Sequence, residues 1–225
     1  GVIMKKDIIV YEDDNIIVCN KPVGMPSQSD RTFEQDLVSY VLTHRTEQNE
    51  PAYAAIINRL DKPVGGLVLF AKNKKAAAGL SAVSGEHGIE KNYYALVKGI
   101  PCDKGEFTDY LLKDGKNNIS TVTDKDTKGS KKAVLLYEKL GEKTIDGEKY
   151  SLMRVRLLTG RHHQIRVQFS HHGYPLYGDI KYNSDFRNRR DVSPALFAYH
   201  LSFKNPVGAD RITVEAEPES EIFRL

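Results

Sequence analysis

The sequence predicts a folded protein that contains both helices and strands, with strands in the majority. Of its 225 residues, 40% are hydrophobic and 28% are charged, which is typical of globular proteins and unlike disordered or fibrous ones. Apolar residues occur mainly in short runs bounded by turn-forming residues, a pattern that indicates strands. Apolar positions at helical spacing are confined to two segments.

The amino-terminal part of the chain predicts a hairpin, two further strands and two helices. Two apolar runs flank the acidic turn at residues 12–15 and predict a pair of strands. Residues 33–44 predict a helix with Thr32 as its N-cap. The run AAIINRLDKPVGGLVLFAKN predicts a strand, a loop rich in proline and glycine, and a second strand, and residues 74–83 predict the other helix.

The rest of the chain predicts strands, apart from one polar stretch. Residues 113–132 predict a mobile loop or a hairpin within the domain. Six other runs predict strands: NYYALVKG, KAVLLYEKL, YSLMRVRLL, HHQIRVQF, ALFAYHLSFKN and DRITVEAE.

Composition says more about the cellular compartment of the protein than about its binding partner. The two cysteines, Cys19 and Cys102, fit neither a disulfide framework nor a metal spacing, and their scarcity suits a reducing compartment. The sequence shows no secretory signal and no apolar run as long as a membrane span. We therefore expect a cytoplasmic protein without a membrane partner. A net charge of +3 does not identify a nucleic-acid partner, because such binding depends on where Lys and Arg cluster.

The first candidate site is the charged segment from Arg59 to Lys62, which lies between two apolar runs. Asp61 is followed by Pro63, Gly65 and Gly66, which would hold the backbone in a constrained turn at a strand end and fix the direction of the carboxylate. The same pattern fits an aspartate that caps a turn and pairs with a nearby cation. Spacing alone leaves both interpretations open.

The second candidate site is the run LLTGRHHQIRVQFSHHGYPLYGD. If its centre is a strand, side chains alternate, so that His162, Gln164 and Arg166 share one face and His163 lies on the other. Gln164 and Arg166 would then lie on an open or cleft-facing surface, where an arginine could reach a carboxylate or phosphate. A solvated strand face is an equal alternative.

The four histidines of this run also suggest a zinc site as an alternative interpretation. Adjacent histidines on a strand point in opposite directions, and we expect no cysteine or carboxylate to complete a tetrahedral set around His162, His163, His171 and His172. The sequence therefore predicts no metal site.

Both candidate sites resemble motifs of one family. RLDKPVGGLVLFAKN resembles the catalytic-aspartate motif of the RluA-type pseudouridine synthases, which modify ribosomal and transfer RNA. KNYYALVKG resembles their tyrosine motif, and GRHHQIRVQFSHHGYPLYGD resembles their arginine motif. YEDDNIIVCNKPVGMPSQSD resembles the family's opening, and ALFAYHLSFKNPV resembles the segment that closes the domain. The matches follow the family's order along nearly the whole chain.

The resemblance implies roles for individual residues. Asp61 matches the catalytic aspartate, and Arg166 matches the arginine that pairs with this carboxylate. Tyr93 matches the tyrosine, which would stack on the base and take part in the final proton transfer. Arg59 matches the arginine that helps to hold the site open when the target base is flipped out.

The resemblance also implies the fold and the domain organisation. It implies one α+β domain over residues 1–225 with the pseudouridine synthase fold, in which helices and loops flank a long, mostly antiparallel mixed sheet. We expect no accessory RNA-binding domain before it, and we expect a monomer. Three positions depart from the family pattern: Asn58 replaces the usual histidine, Val64 begins a VGG in place of TSG, and His162 replaces threonine or serine.

The expected substrate is uridine in structured ribosomal or transfer RNA, extruded into the active site. No cofactor is expected, because the isomerisation involves no redox step. Two alternative functions predict other residues: a non-catalytic RNA-binding module would lack Asp61, and an aspartate-dependent hydrolase would need a second carboxylate, which we do not expect in the two motifs. RNA contacts are predicted for the following residues, although a solvated surface is an equal alternative for the lysines and the last three arginines: Arg161, Gln164, Lys128, Lys131, Lys132, Lys181, Arg187, Arg189 and Arg190.

Overall fold

A computed structural model of the protein describes residues 7–29, 33–83 and 88–225. The chain forms two compact units. The first comprises Gly1–Ile89 and His200–Glu217, and the second comprises Glu90–Tyr199 and Pro218–Leu225. The single catalytic domain expected from the sequence stays a prediction.

The first unit is a small sheet with two helices. Its strands follow the order β1-β2-β4-β10, and β3 and β11 pair with β4 and β10. The β1–β2, β2–β4, β3–β4 and β10–β11 pairs are antiparallel. Its elements are β1 (Ile9–Glu12), β2 (Ile16–Lys21), α1 (Leu37–Glu47), β3 (Ala55–Ile56), β4 (Gly65–Ala71), α2 (Lys74–Ser81), the last part of β10 (Leu196–Lys204) and β11 (Arg211–Glu215).

The core of the first unit is built around β4, because every residue of this strand is buried. Leu67 and Leu69 pack with Phe203 of β10 and with Leu80 of α2. Because β4 is a central, buried strand, it anchors the carboxyl-terminal end of the loop that precedes it.

The second unit is a longer antiparallel sheet with one helix. Its strand order is β10-β5-β9-β8-β6-β7, and the β5–β9, β8–β9, β6–β8 and β6–β7 pairs are antiparallel. Asp146 and Gly147, with φ of 48° and 83°, form the tight turn between β8 and β9 that such residues favour. Its elements are β5 (Glu90–Lys98), β6 (Lys104–Asp114), β7 (Ile119–Thr123), β8 (Lys131–Ile145), β9 (Glu148–Leu157), α3 (Gln164–His171), the first part of β10 and short 3₁₀ turns at Ser184–Phe186 and Glu221–Phe223.

Most predicted elements are confirmed. The opening hairpin, the strand and helix after the Asp61 loop, and the strands of five of the six later runs all form. The polar stretch 113–132 is a hairpin that joins β6, β7 and the start of β8. The first helix begins later than predicted: Asp36 is its N-cap and accepts a 2.7 Å hydrogen bond from Ser39 N. Phe33 is fully exposed before the helix, and the predicted cap Thr32 lies outside the described residues.

The predicted strand HHQIRVQF is wrong, because its central residues form α3. Ile165, Val167 and Phe169 alternate with polar residues, as in a half-buried strand. However, all six residues from Gln164 to Phe169 are buried, the polar ones as well as the apolar ones. The alternation therefore does not separate a buried face from an exposed face. His163, at φ 55° and ψ 25°, makes the left-handed turn that starts the helix.

The helices of the described residues are short. None of them is long and apolar enough to cross a membrane.

Candidate active site

Asp61 lies in the loop between β3 and β4, partly exposed, in the first unit. Its carbonyl oxygen accepts a 2.9 Å hydrogen bond from Val64 N, which closes a turn directly before the buried strand β4. The loop therefore holds the Asp61 carboxylate near the surface, while the carboxyl-terminal end of the loop continues directly into the buried strand β4.

A buried serine fixes the backbone on one side of Asp61. Ser27 Oγ donates to Leu60 O at 2.7 Å and accepts from Leu60 N at 3.0 Å. Ser27 is only 5% exposed, so water competes little for these bonds. On the other side, Gly24 N donates to Lys62 O at 2.9 Å, from a conformation with φ of 89° that glycine adopts at little cost.

Lys21 ties the same loops together from below the surface. Its side chain is 1% exposed, and Nζ donates to the carbonyl oxygens of Pro22, Met25 and Lys62 at 3.0, 2.6 and 3.1 Å. Burial lowers the pKa of Lys21 to about 8, while the charge of Asp61 opposes this shift. The attraction is mutual, so Lys21 places a fixed positive charge near the Asp61 carboxylate.

Asn58, which departs from the family pattern, has a structural role here. Its amide donates to Leu67 O at 3.2 Å and accepts from Leu69 N at 2.8 Å. Asn58 is 9% exposed and thus attaches the start of the loop to the edge of β4. A residue with both a donor and an acceptor is needed for this bridge.

Two basic side chains flank Asp61 at the surface. Arg59 is exposed. Lys62 is exposed and pairs with Glu34. Exposed cations thus stand on both sides of Asp61 in the sequence, and Asp61 interacts electrostatically with the buried Lys21.

Tyr93 lies on β5 in the second unit, where it is opposite Val155 of β9 and 6% exposed. Its neighbour Tyr94 stacks on Tyr199 with ring centroids 3.9 Å apart. The two tyrosines of this motif therefore have different surroundings.

Arg166 is held by a buried carboxylate of its own unit. Nε and Nη2 donate to the two carboxylate oxygens of Asp179 at 2.7 and 2.9 Å, and the side chains are 2% and 0% exposed. Asp179 Oδ1 also accepts from the backbone nitrogens of Lys181 and Tyr182. The Arg166 guanidinium carbon lies 5.2 Å from the centre of the Tyr182 ring. This bidentate pair fixes the plane of the guanidinium.

Asp179 corrects one expectation. It is a second carboxylate within the arginine motif, where none was expected. Because it is fully buried and bonded to Arg166, it is not available to activate water.

Around the start of α3, a network of polar side chains links β7 to the segment after the helix. Tyr182 Oη accepts from Ser120 N at 2.8 Å and lies 2.6 Å from His163 Nδ1. His162 stacks on His163 at 3.7 Å and bonds to Ser120 Oγ at 2.7 Å. The side chain of His163, whose backbone is in the left-handed conformation, is therefore held by contacts with both Tyr182 and His162.

The expected open surface for Gln164 and Arg166 is wrong, since both residues are buried on α3. Gln164 Oε1 accepts from Thr159 Oγ1 and Arg161 N, and Nε2 donates to Val134 O. Both the oxygen and the nitrogen of the Gln164 amide are therefore bonded to other atoms of the protein. Arg161 is partly exposed, and its Nε donates to Lys132 O at 2.8 Å.

The predicted RNA-contacting arginines lie after the 3₁₀ turn Ser184–Phe186. Arg187, Arg189 and Arg190 are exposed, and Arg189 forms a bidentate pair with Asp191. Lys181 Nζ donates to Asn118 O.

Sequence reasoning missed several residues that position these groups. Lys21 and Ser27 lie in the opening motif and Asp179 is the last residue of the arginine motif, so the resemblance contained them without assigning a role. The Lys-Pro dipeptide at the end of an apolar strand was the available signal for Lys21, because a charged residue there must be satisfied inside the protein.

Comparisons with known proteins agree with the motifs. The model of the RNA pseudouridylate synthase family matches residues 15–171. The tRNA pseudouridine synthase C of Haemophilus ducreyi is 32% identical over an alignment of 223 positions that covers 92% of this chain and 89% of that protein. The ribosomal large subunit pseudouridine synthase D of Zymomonas mobilis is 32% identical over an alignment of 231 positions that covers 96% of this chain and 71% of that protein.

A solved structure shares the fold. Human RNA pseudouridylate synthase domain containing 1 has a TM-score of 0.76 over 97% of this chain and 86% of that one, at 22% identity. This similarity confirms the α+β pseudouridine synthase fold that the resemblance implied. Since the family model spans well over half of the chain and a relative shares about a third of its residues along nearly full length, the chain belongs to the RluA-type RNA pseudouridine synthases, enzymes that isomerise uridine to pseudouridine.

Proposed function

We propose that this enzyme isomerises uridine in ribosomal or transfer RNA and that Asp61 is its catalytic carboxylate. The observation that carries the assignment is the support of the Asp61 loop. Three buried polar side chains form hydrogen bonds to the backbone around this partly exposed aspartate: Ser27, Lys21 and Asn58. A turn cap would not need such support, whereas a reacting group must be held in one direction.

The reaction requires a group that changes its bonding while the base is detached. Uracil leaves C1′ through nitrogen, rotates and is reattached through carbon, so the reaction is redox-neutral and we propose that it needs no cofactor. Asp61 acts as a nucleophile at the sugar or base, or as a base that removes a proton from the sugar. The positive charge of Lys21 attracts the Asp61 carboxylate, which helps to hold it in the site.

The other motif residues are proposed to serve the same reaction. Arg166 contributes a fixed positive charge, and Tyr93 stacks on the base and takes part in the last proton transfer. Arg59 is exposed beside Asp61, which suits a side chain that occupies the space left by an extruded nucleotide. Arg161, Arg187 and Arg190 are proposed to contact phosphates. The buried Gln164 shapes the start of α3 and is not proposed to touch RNA.

Two relatives carry names that refer to tRNA and to the ribosomal large subunit, so both RNA classes are proposed as substrates. Mapping pseudouridine in total RNA from a deletion strain and its parent would identify the class. The cytoplasmic location and the monomeric state stay predictions.

The decisive experiment replaces Asp61 with Asn, which keeps the size of the side chain and removes its charge. Turnover, measured as tritium release from RNA labelled at uridine C5, should vanish, because neither nucleophilic nor base chemistry survives the change. RNA binding, measured on a filter, should persist, since phosphate contacts are made by other residues.

The matched control is Asp126→Asn, the same change at an exposed position of the β7–β8 connection. It should retain full activity. Turnover of Asp61→Asn within about tenfold of wild type, a barrier difference of about 1.4 kcal/mol, would reject Asp61 as the catalytic group.

A further inference from the structure

Three metal-ligating side chains meet in the second unit. Asp109 lies on β6, His171 is the last residue of α3, and His172 caps that helix. One ring nitrogen of each histidine and one carboxylate oxygen of Asp109 all lie within 4.8 Å of one another. No carboxylate was expected to complete a ligand set around the four histidines of this run, and the structure brings one, Asp109, to two of them.

Two of the three ligands are already held in place. The His172 ring stacks on Phe107 with centroids 3.9 Å apart and an angle of 6°, and its Nε2 lies 2.9 Å from Asp109 Oδ2. The same carboxylate oxygen accepts a 2.8 Å hydrogen bond from Gln168 Nε2. Outer hydrogen bonds and stacking of this kind orient ligands, so an ion would not have to order these side chains itself.

Gln168 is oriented toward Asp109 at a cost. It is fully buried, and its Oε1 has no hydrogen-bond partner among the described residues, whereas Nε2 donates to both Asp109 and Ala133 O. A buried oxygen that accepts no hydrogen bond destabilises the folded protein. The protein thus fixes the carboxylate at the expense of another polar atom.

The cluster retains unused ligand capacity. Within the described part of the chain, no hydrogen bond reaches Asp109 Oδ1 or either ring nitrogen of His171. His171 is exposed, so its ring can rotate toward the other two. The carboxyl end of α3 carries the negative end of the helix dipole, which favours a cation at this place.

The donor set selects the kind of ion. Two imidazoles and one carboxylate suit Zn²⁺ and similar borderline divalent ions, whereas Mg²⁺ and Ca²⁺ prefer oxygen alone. Tetrahedral Zn²⁺ places its ligand atoms roughly 3.4 Å apart, which a rotation of His171 would achieve. Water would fill the fourth position.

We propose that Asp109, His171 and His172 form a Zn²⁺ site that fastens the end of α3 to β6. The ion takes the place of the hydrogen bond between His172 Nε2 and Asp109 Oδ2, because Zn²⁺ binds the lone pairs of the imidazole nitrogen and of the carboxylate oxygen. The site takes no part in the isomerisation and is independent of the proposed function.

The test uses untagged full-length protein that has been stripped with EDTA and dialysed. Zn²⁺ is titrated in competition with a chromophoric chelator, for wild type, His171→Ala, Asp109→Asn and the control His44→Gln. His44 is a partly buried histidine of the first unit, bonded to Glu12. Wild type and the control should bind one ion per chain, and the other two variants should bind more than about tenfold more weakly.

Thermal unfolding gives a second readout. Zn²⁺ should raise the melting temperature of wild type and of the control but not of His171→Ala, an exposed position whose replacement should leave the fold intact. Equal affinity in all four proteins, or no stoichiometric binding by wild type, would overturn the site.

Discussion

The Asp61 loop of the first unit and the Arg166 helix of the second hold their charged groups in different ways. Around Asp61 the buried side chains bond to the backbone, and the carboxylate itself stays partly exposed. Arg166 is buried, and its own guanidinium is the group that is fixed, by two bonds to Asp179.

The difference follows from what each group has to do. A carboxylate that reacts must keep its oxygens accessible, so only its backbone can be fixed tightly. An arginine that supplies charge and orientation works better when it cannot move, and a planar bidentate pair provides this. The same comparison predicts that damage near Arg166 will affect folding, whereas damage near Asp61 will affect turnover.

The largest effect on stability is expected from Asp179→Asn. The change removes the anion that the second unit supplies to a buried guanidinium, and breaking a buried ion pair costs about 3–5 kcal/mol. The free energy of unfolding, measured with urea, should fall by that amount. The control Asp185→Asn breaks the exposed pair with Lys98 and should cost less than about 1 kcal/mol. Equal losses in the two variants would show that Asp179 does not hold Arg166.

A smaller loss of stability and a larger loss of turnover are expected from Lys21→Met. Methionine fills the space but leaves three backbone carbonyls without their buried donor, which costs roughly 1–3 kcal/mol of unfolding free energy. Because the Asp61 loop loses one of its two ties at Lys62 O and keeps only the bond from Gly24 N, kcat should fall more than KM changes. A variant that loses stability but keeps wild-type kcat would contradict the positioning role of Lys21.

The pH dependence of unfolding checks the same lysine. Burial lowers the pKa of folded Lys21 to about 8, from 10.5. Between these values the unfolded chain binds a proton that the folded chain does not, so this group makes the free energy of unfolding rise with pH in that window. The difference between wild type and Lys21→Met should therefore grow in favour of wild type from about pH 8 to pH 10.5.

The smallest effect on the fold is expected from replacing Arg187, Arg189 and Arg190 together with Ala. These side chains are exposed, and stability should change by less than about 0.5 kcal/mol per site. RNA affinity should fall, and the slope of its logarithm against that of salt should decrease by about 0.7–0.9 per lost contact. Because Arg189 is paired with Asp191, Arg187 and Arg190 should account for most of the change.

The control for this triple variant removes three exposed lysines of the first unit, Lys74, Lys75 and Lys204. It matches the change in net charge. An equal loss of salt slope in both variants would mean that net charge alone, and not the loop after Phe186, determines RNA affinity.

The sequence by itself determined the family and most strands, because each motif is a local pattern and each strand a short apolar run. Asp61, Tyr93 and Arg166 were selected in this way, and the hairpin, β4 and α2 follow from local spacing. The helix at residues 164–171 could not be predicted, because a short segment whose first six residues are all buried fits both periods.

Only the tertiary structure decided which partners hold these residues. Lys21 and Lys62 are 41 residues apart in sequence, and Asp109 and His172 are 63 apart, so no local pattern relates them. The buried pair of Arg166 and Asp179 likewise depends on how the segment after α3 folds back on the helix. Hydrogen bonds and ion pairs depend on distance in space, and the chain brings these groups together only when its sheets have formed.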